Sequence, residues 1–250
     1  MSSNDKIITL ITGANGGIGF ELAAQLLADA SNFILLGSRS VEKGESAVKD
    51  LQARDLPGSV ELVQIDVTSD ESIEAAAKQV KEKHGRIDAL VNNAAIGDSF
   101  HASLPLSTCL QSAFHTNITG PAVVVEAFAP LLSASTHTPR IINVTSGAGS
   151  ITLRSDTSNP HQTMKVVPYR VSKAALNMLT VCQWYEYREA GWKVFAFCPG
   201  FTESNLGPMN KVEHGAKPTS EGARPMVAIL KGDRDVESGG YLKAEGQWPW

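Results

Sequence analysis

The chain has 250 residues, 42% of them apolar and 19% charged, and carries a net charge of −4. This is the composition of an ordinary soluble globular protein with enough chain for a substantial core, and without a long basic run it gives no reason to expect nucleic-acid or anionic-membrane binding. No apolar stretch reaches the ~18–20 residues of a membrane span, and the polar start MSSNDK reads as no secretory leader. The three cysteines, Cys109, Cys182 and Cys198, are odd in number and widely spaced. A reduced, cytoplasmic protein is therefore expected, with Cys182 and Cys198 serving core packing.

Short apolar runs alternate with segments of helical period along the whole chain. KIITLITG (6–13) reads as a strand, followed by a helix at 17–29; NFILLGSR (32–39) is followed by a helix at 41–54. VELVQIDV (60–67), more mixed in character, precedes a helix at 69–84, and IDALVNNAA (87–95) precedes a helical stretch at 103–133 that is long enough for two helices. RIINVTS (140–146) leads through a long polar connection at 147–167 to a helix at 168–190. KVFAFCPG (193–200) is followed by an irregular connection at 201–218 and a helix at 219–231. Continuous apolar strands alternating with helices predict an α/β fold: a single doubly wound parallel β-sheet of the Rossmann kind with helices on both faces. No repeat or composition break divides the chain, so one domain over 1–250 is expected.

The first strand, a glycine turn and a helix follow one another directly in ITLITGANGGIGFELAAQLLA. Gly13 allows a tight turn, Gly17 a close backbone approach and Gly19 close helix packing, with Asn15 and Ile18 inside the same motif. Free N–H groups at the helix start, together with its dipole, suit a pyrophosphate. No Gly-Lys-Ser/Thr follows, which excludes a P-loop. At the end of the second strand, where an NAD site would carry an acidic residue, stand Ser38 and Arg39. Arg39 can pair with a 2′-phosphate, which points to NADP(H).

The Thr-Gly-x-x-x-Gly-x-Gly spacing that starts at Thr12 resembles the glycine motif of the short-chain dehydrogenase/reductase family. The resemblance spans nearly the whole chain. IDV (65–67) and NNAA (92–95) are similar to the family's Asp and Asn-Asn-Ala-Gly signatures, with Ala95 in place of the last Gly. They imply that Asp66 and Val67 lie against the adenine and Asn93 near the adenosine ribose. CPGFT (198–202) resembles the family's Pro-Gly stretch, which implies that Pro199, Gly200 and Thr202 meet the nicotinamide end. The cofactor half would cover about 1–140 and the catalytic, substrate-binding half about 141–250.

The family's catalytic tetrad is matched by Asn117 in HTNITG, Ser146 in INVTSGAG, and Tyr169 and Lys173 in PYRVSK. The chemistry accounts for these residue types. Reducing a carbonyl needs a hydride and a proton, and tyrosine, with an ordinary pKa of ~10, needs help to exchange one near neutrality. A lysine one helical turn along stabilises the phenolate, and Lys173 can also donate to the nicotinamide ribose. Ser146 can hydrogen-bond the substrate oxygen as negative charge develops on it. The resemblance implies that Asn117 holds a water relaying protons towards Lys173; an Asn at a helix kink also satisfies backbone groups locally. Ser172, inside the helix, reads as a packing or back-bonding residue. His115 belongs to no metal-ligand spacing, so no metal is expected.

The interval from Ser146 to Tyr169 is longer than the family's usual one, which places the shaping of the substrate pocket in the connection before Pro168. The similarity is greatest to carbonyl reductases of the sniffer and C-factor type and to fungal ketoreductases acting on aromatic or polyketide ketones. The expected activity is NADPH-dependent reduction of a ketone or aldehyde. The alternatives are alcohol oxidation by the same residues and a non-catalytic NADP(H)-binding sensor or scaffold. The partner expected is a small carbonyl or alcohol substrate. The apolar segment 120–132 and the aromatics Trp184, Tyr185 and Tyr187 are compatible with a homodimer, although carbonyl reductases of this subgroup can be monomers.

Overall fold

The computed structural model describes residues 6–97, 104–158 and 166–250. The elements run β1 (Ile7–Ile11), α1 (Gly17–Leu27), β2 (Asn32–Ser38), α2 (Val41–Gln52), β3 (Ser59–Gln64), α3 (Asp70–His84) and β4 (Ala89–Asn92). They continue with α4 (Leu106–Phe114), α5 (Gly120–Ser133), β5 (Arg140–Val144), α6 (Ile151–Ser155), α7 (Val167–Tyr187), β6 (Lys193–Phe197), α8 (Thr219–Lys231) and β7 (Tyr241–Leu242). The described strands pair in parallel in the order β3-β2-β1-β4-β5-β6-β7. The order reverses between β1 and β4, which opens a crevice at the carboxyl ends of the strands.

Both faces of the sheet carry a core. Leu22 and Leu26 of α1 and Met226 and Ile229 of α8 pack on Ile11, Ile34 and Leu36 on one side. Ile73 and Val80 of α3 and Val124 and Phe128 of α5 pack on Ile8, Leu10 and Leu35 on the other. A central strand covered on both sides has no polar face to show, hence the continuous apolar runs. The mixed run of β3 has the complementary cause: this strand is an edge, hydrogen-bonded only to β2, and is mostly half-buried. Two helices are capped as local chemistry requires, Ser40 accepting from the Lys43 N–H and Ser69 from the Ser72 N–H.

Four details depart from the expectations. The described part of the helical stretch at 103–133 holds the two helices expected, α4 and α5, but a π turn at His115–Thr119 joins them without a break, residue 103 lying outside the described residues. Pro121 has no N–H to return to the Asn117 carbonyl, so an unbroken α ladder cannot pass; the Gly120 N–H instead reaches five residues back to His115. The connection at 147–167 contains a 3₁₀ turn at Gly147–Gly149 and the short α6, while 159–165 lie outside the described residues. A seventh strand, β7, has two residues, too few to show a period.

The fourth departure is Cys182, which is exposed on α7 and packs in no core. The side of α7 turned inward is largely polar, with Ser172, Lys173, Asn177, Thr180 and Gln183 buried beside Leu176. Trp184 and Tyr187 pack against the α3/α5 core, while Tyr185 is exposed. Among the described residues no helix is long and apolar enough to cross a membrane.

At the amino ends of the strands Asp88, 2% exposed, bolts three segments together. It accepts from the Ile8 N–H at 2.8 Å and the Ser135 hydroxyl at 2.6 Å, and its Oδ1 lies 3.3 Å from Arg86 Nε. Asp88→Ala leaves the buried Ile8 N–H without its acceptor and removes the countercharge beside the buried Arg86 guanidinium, so the unfolding free energy is expected to fall by about 3 kcal/mol. Urea denaturation measures this, and a loss under about 1 kcal/mol would show the bolt to be idle.

Candidate active site

The crevice begins where β1 enters its glycine turn. Gly13 has a φ of +63°, and a Cβ there would lie 2.9 Å from the Ala94 Cα, so only glycine lets the turn rest on the chain leaving β4. At Gly19 a Cβ would fall 2.5 Å from Asn93 Nδ2. Thr12 Oγ1 accepts from the N–H groups of Asn93 and Ala94, and Asn93 Nδ2 donates to the carbonyls of Thr12 and Gly13. Asn93 thus clamps the glycine turn to the end of β4. Ile18 packs against the core beneath it.

The space above the turn suits a phosphate-bearing ligand. Gly17, at a φ of +59°, has no atom within 4 Å of where a Cβ would stand. The N-cap of α1, Gly16, offers no side-chain acceptor, so the first N–H groups of the helix are uncapped. Beside them is a recess of about 410 Å³ whose lining includes Asn15, Gly16, Lys43, Ser46 and Asn205, with the carboxylate of Asp50 on its wall as well. A second recess, of about 380 Å³ around Asp29 and Lys231, lies at the opposite, amino end of the sheet and away from this chemistry.

At the end of β2 Arg39 is exposed, whereas Ser38 is buried with its hydroxyl donated to the Ser40 carbonyl at 2.8 Å. Lys43, not foreseen from sequence, brings a cation to the recess from the first turn of α2, four residues along the chain from Arg39. After β3, Asp66 Oδ1 accepts from the Thr68 N–H and hydroxyl at 3.0 and 2.7 Å. Partial burial alone would raise the Asp66 carboxyl, but the Thr68 bonds and the Arg39 and His115 charges outweigh it and hold the group below its ordinary range. Val67 is buried, and a Cβ on Gly120 would come within 2.6 Å of its carbonyl oxygen.

Ser146, Tyr169 and Lys173 converge at the end of β5. The Lys173 ammonium lies 5.7 Å from the centre of the Tyr169 ring and donates to the Val144 carbonyl at 2.8 Å. Burial pushes its pKa down from 10.5 to about 8, with Cys198 acting the other way by less. Ser146 Oγ accepts the Ala148 N–H at 3.2 Å, which occupies a lone pair and leaves the hydroxyl proton free to be donated.

Asn117, fully buried in the π turn, spends its amide within the protein. Its Oδ1 accepts from the Ile96 N–H at 2.9 Å, and its Nδ2 donates to the Ile96 carbonyl at 3.0 Å and to Ser172 Oγ at 2.9 Å. Ser172 in turn donates to the Tyr169 carbonyl, so it is a back-bonding residue that links Asn117 to the helix of the tetrad. Thr202 is buried as well, its hydroxyl turned onto the carbonyls of Pro199 and Gly200 at 3.1 and 3.3 Å. Gly200 has a φ of +80°. Among the described residues no cluster of His, Cys, Asp or Glu could hold a metal.

Known proteins share this architecture. A family model described as short chain dehydrogenase matches residues 7–213. The chain is 40% identical over 230 residues to the short-chain dehydrogenase anuI of Penicillium roqueforti, covering 91% of this chain and 89% of that one. It is 35% identical to the short-chain dehydrogenase/reductase tropE of Talaromyces stipitatus, covering 99% and 98%. Among solved structures, NADPH bound carbonyl reductase from chicken fatty liver superposes with a TM-score of 0.82 at 29% identity, covering 98% of this chain and 100% of that one.

The buried Lys173 has a measurable consequence. Folded, it releases its proton near pH 8; unfolded, near 10.5. Between these values the unfolded chain binds more protons, so this group's contribution to stability rises with pH. The cost of burying the ammonium is complete below pH 8 and is relieved by 10.5, on the order of 3 kcal/mol. Denaturant unfolding of the cofactor-free protein across that window is expected to lose this rising component in Lys173→Met, and identical slopes in the two proteins would refute it.

Proposed function

The chain belongs to the short-chain dehydrogenase family, and we propose that it reduces a ketone or aldehyde to the alcohol with NADPH, Tyr169 delivering the proton. The observation that carries this reading is the buried Lys173 ammonium beside the Tyr169 ring, at the strand end where Ser146 keeps a proton to donate. When bound, the nicotinamide cofactor supplies the hydride to the carbonyl carbon. Ser146 donates to the substrate oxygen, and the bond strengthens as that oxygen becomes an alkoxide. The Tyr169 hydroxyl then gives its proton to the oxygen, and the positive charge of Lys173 stabilises the phenolate left behind. Asn117 acts from below: through Ser172 it ties the chain leaving β4 to the turn of α7 that carries Tyr169.

Cofactor choice follows from charge. Gly13, Gly17 and the uncapped start of α1 would take the pyrophosphate, and Arg39 with Lys43 would take the 2′-phosphate, which NADH lacks. The carbonyl reductase resembled in fold was solved with NADPH, which supports the same cofactor and the reductive direction. The groups exposed near the serine loop and the Pro-Gly turn, Ile151, Trp250 and Phe201, favour an apolar or aromatic ketone as substrate.

Tyr169→Phe is expected to abolish turnover while NADPH binding, read by fluorescence titration, persists; undiminished turnover would sink the mechanism. A panel of aromatic ketones, quinones and aliphatic aldehydes followed by NADPH absorbance identifies the substrate class. Run in parallel with NADH, the same panel is expected to favour NADPH, and Arg39→Ala to raise the KM for NADPH about tenfold while leaving that for NADH nearly unchanged. Equal efficiency with both cofactors in the unaltered protein would overturn the assignment of Arg39.

A further inference from the structure

The peptide group that joins Ser146 to Gly147 is gripped at both ends by side chains from distant parts of the chain. Its carbonyl accepts a hydrogen bond from the Tyr241 hydroxyl, which arrives from β7. Its N–H donates to Cys198 Sγ at 3.0 Å, one residue beyond β6. A peptide group is planar, so holding its two polar ends fixes the rotation about the Ser146 Cα–C bond. The direction of the Cα–Cβ bond relative to that peptide is fixed with it, and the Ala148 N–H bond to Oγ restrains the remaining side-chain torsion. We propose that Tyr241 and Cys198 are positioning residues for Ser146, holding its hydroxyl at the angle from which it donates to the substrate carbonyl. The proposal rests on the reading of Ser146 given above.

The clamp is itself braced. Tyr241 is fully buried and stacks on Trp250, ring centres 5.2 Å apart and planes 22° from parallel. The Trp248 N–H donates to the Tyr241 carbonyl at 2.7 Å. Residues 249–250 also hold the chain that follows the serine: Ser150 Oγ donates to the Pro249 carbonyl at 2.6 Å and the Thr152 N–H to the Trp250 carbonyl at 2.9 Å. Cys198 Sγ takes a second N–H, from Gly200 at 3.4 Å, and so ties the serine loop to the Pro-Gly turn. The Trp248 indole N–H is buried beside the same sulfur and has no well-formed hydrogen bond of its own. Burial raises the pKa of both the Tyr241 phenol and the Cys198 thiol, which keeps the first a neutral donor and the second a neutral acceptor.

Packing alone does not account for this arrangement. A phenylalanine at 241 would fill the same space and stack on Trp250, and an alanine at 198 would still sit in an apolar strand end. Each would lose its bond to the serine's peptide group, the alanine also the bond from the Gly200 N–H and the phenylalanine the contact of the hydroxyl with Asn177. In a site that works by placing a donor against a developing charge, a shift of 1 Å costs up to about a hundredfold in rate.

The test is kinetic epistasis in the full-length enzyme with NADPH and its best carbonyl substrate. Tyr241→Phe and Cys198→Ala are each expected to lower kcat about tenfold, Tyr241→Phe with the KM for NADPH unchanged. Cys198→Ser, which keeps an acceptor, is expected to retain more activity than Cys198→Ala. In a Ser146→Ala background neither substitution should lower kcat further, because the group they position is gone. Undiminished kcat in Tyr241→Phe, or equal losses with and without the Ser146 hydroxyl, overturns the proposal. Should Cys198→Ala fail to fold, Tyr241→Phe, which removes a single oxygen, carries the test, with its thermal midpoint measured alongside. Full activity in Ser146→Ala alone would instead overturn the reading of the serine, and the clamp with it.

Discussion

The site hangs on a seam of buried polar contacts between β5 and α7. Asn143 donates to Thr180 Oγ1 at 3.0 Å and Gln183 Oε1 at 2.8 Å, and Thr145 donates to Asn177 Oδ1 at 2.7 Å. Lys173 reaches across to the Val144 carbonyl. Gly149 lets the serine loop lie on the helix: a Cβ there would stand 2.6 Å from the Lys173 carbonyl carbon. An apolar seam of the same size would tolerate a slide or a rotation with little loss. A polar one does not, because each displaced group is left buried without a partner. The helix is thereby locked in one register, and Tyr169 and Lys173 stand at a fixed distance from Ser146.

The rest of the site attaches to that seam through β4. Asn92 donates to Asn143 Oδ1 at 2.9 Å, joining β4 to β5 by side chain as well as by backbone. One residue on, Asn93 clamps the glycine turn. A little further, Ile96 is bonded by Asn117, which reaches α7 through Ser172. The end of β4 therefore carries the glycine turn on one flank and α7, with Tyr169 and Lys173, on the other. The π turn has a part in this. Pro121 breaks the α ladder at the carbonyl of Asn117, and the distortion falls where that side chain enters the buried junction.

Much of this was legible in the chain. Five of the strands could be read because burial on both faces leaves a continuous apolar run, and the sixth run, which looked mixed, at β3, proved to be an edge. The glycine turn was legible because its glycines answer local needs, a positive φ at Gly13 and a close approach at Gly19. Tyr169, Lys173 and Ser146 could be named because the motifs that resemble the short-chain dehydrogenase family each lie within a short stretch of chain. Harder to read were residues whose chemistry is decided by a neighbour distant in sequence. Ser38 looked available but spends its hydroxyl on Ser40; Thr202 folds back on Pro199; Cys182 sits on the exposed side of α7 because the polar side is the one buried.

The amino-acid sequence by itself determined the alternation of strand and helix, the glycine turn before α1, and the residues Tyr169, Lys173 and Ser146 on which the proposed chemistry rests. Each of these depends on burial period, backbone freedom or functional groups carried within one local segment. Only the tertiary structure decided which face of α7 is inward and that Tyr241 and Cys198 grip one peptide beside Ser146. Those contacts join residues some 50 to 95 positions apart, and no local pattern in the chain encodes a hydrogen bond whose partner is brought near only by the closing of the sheet.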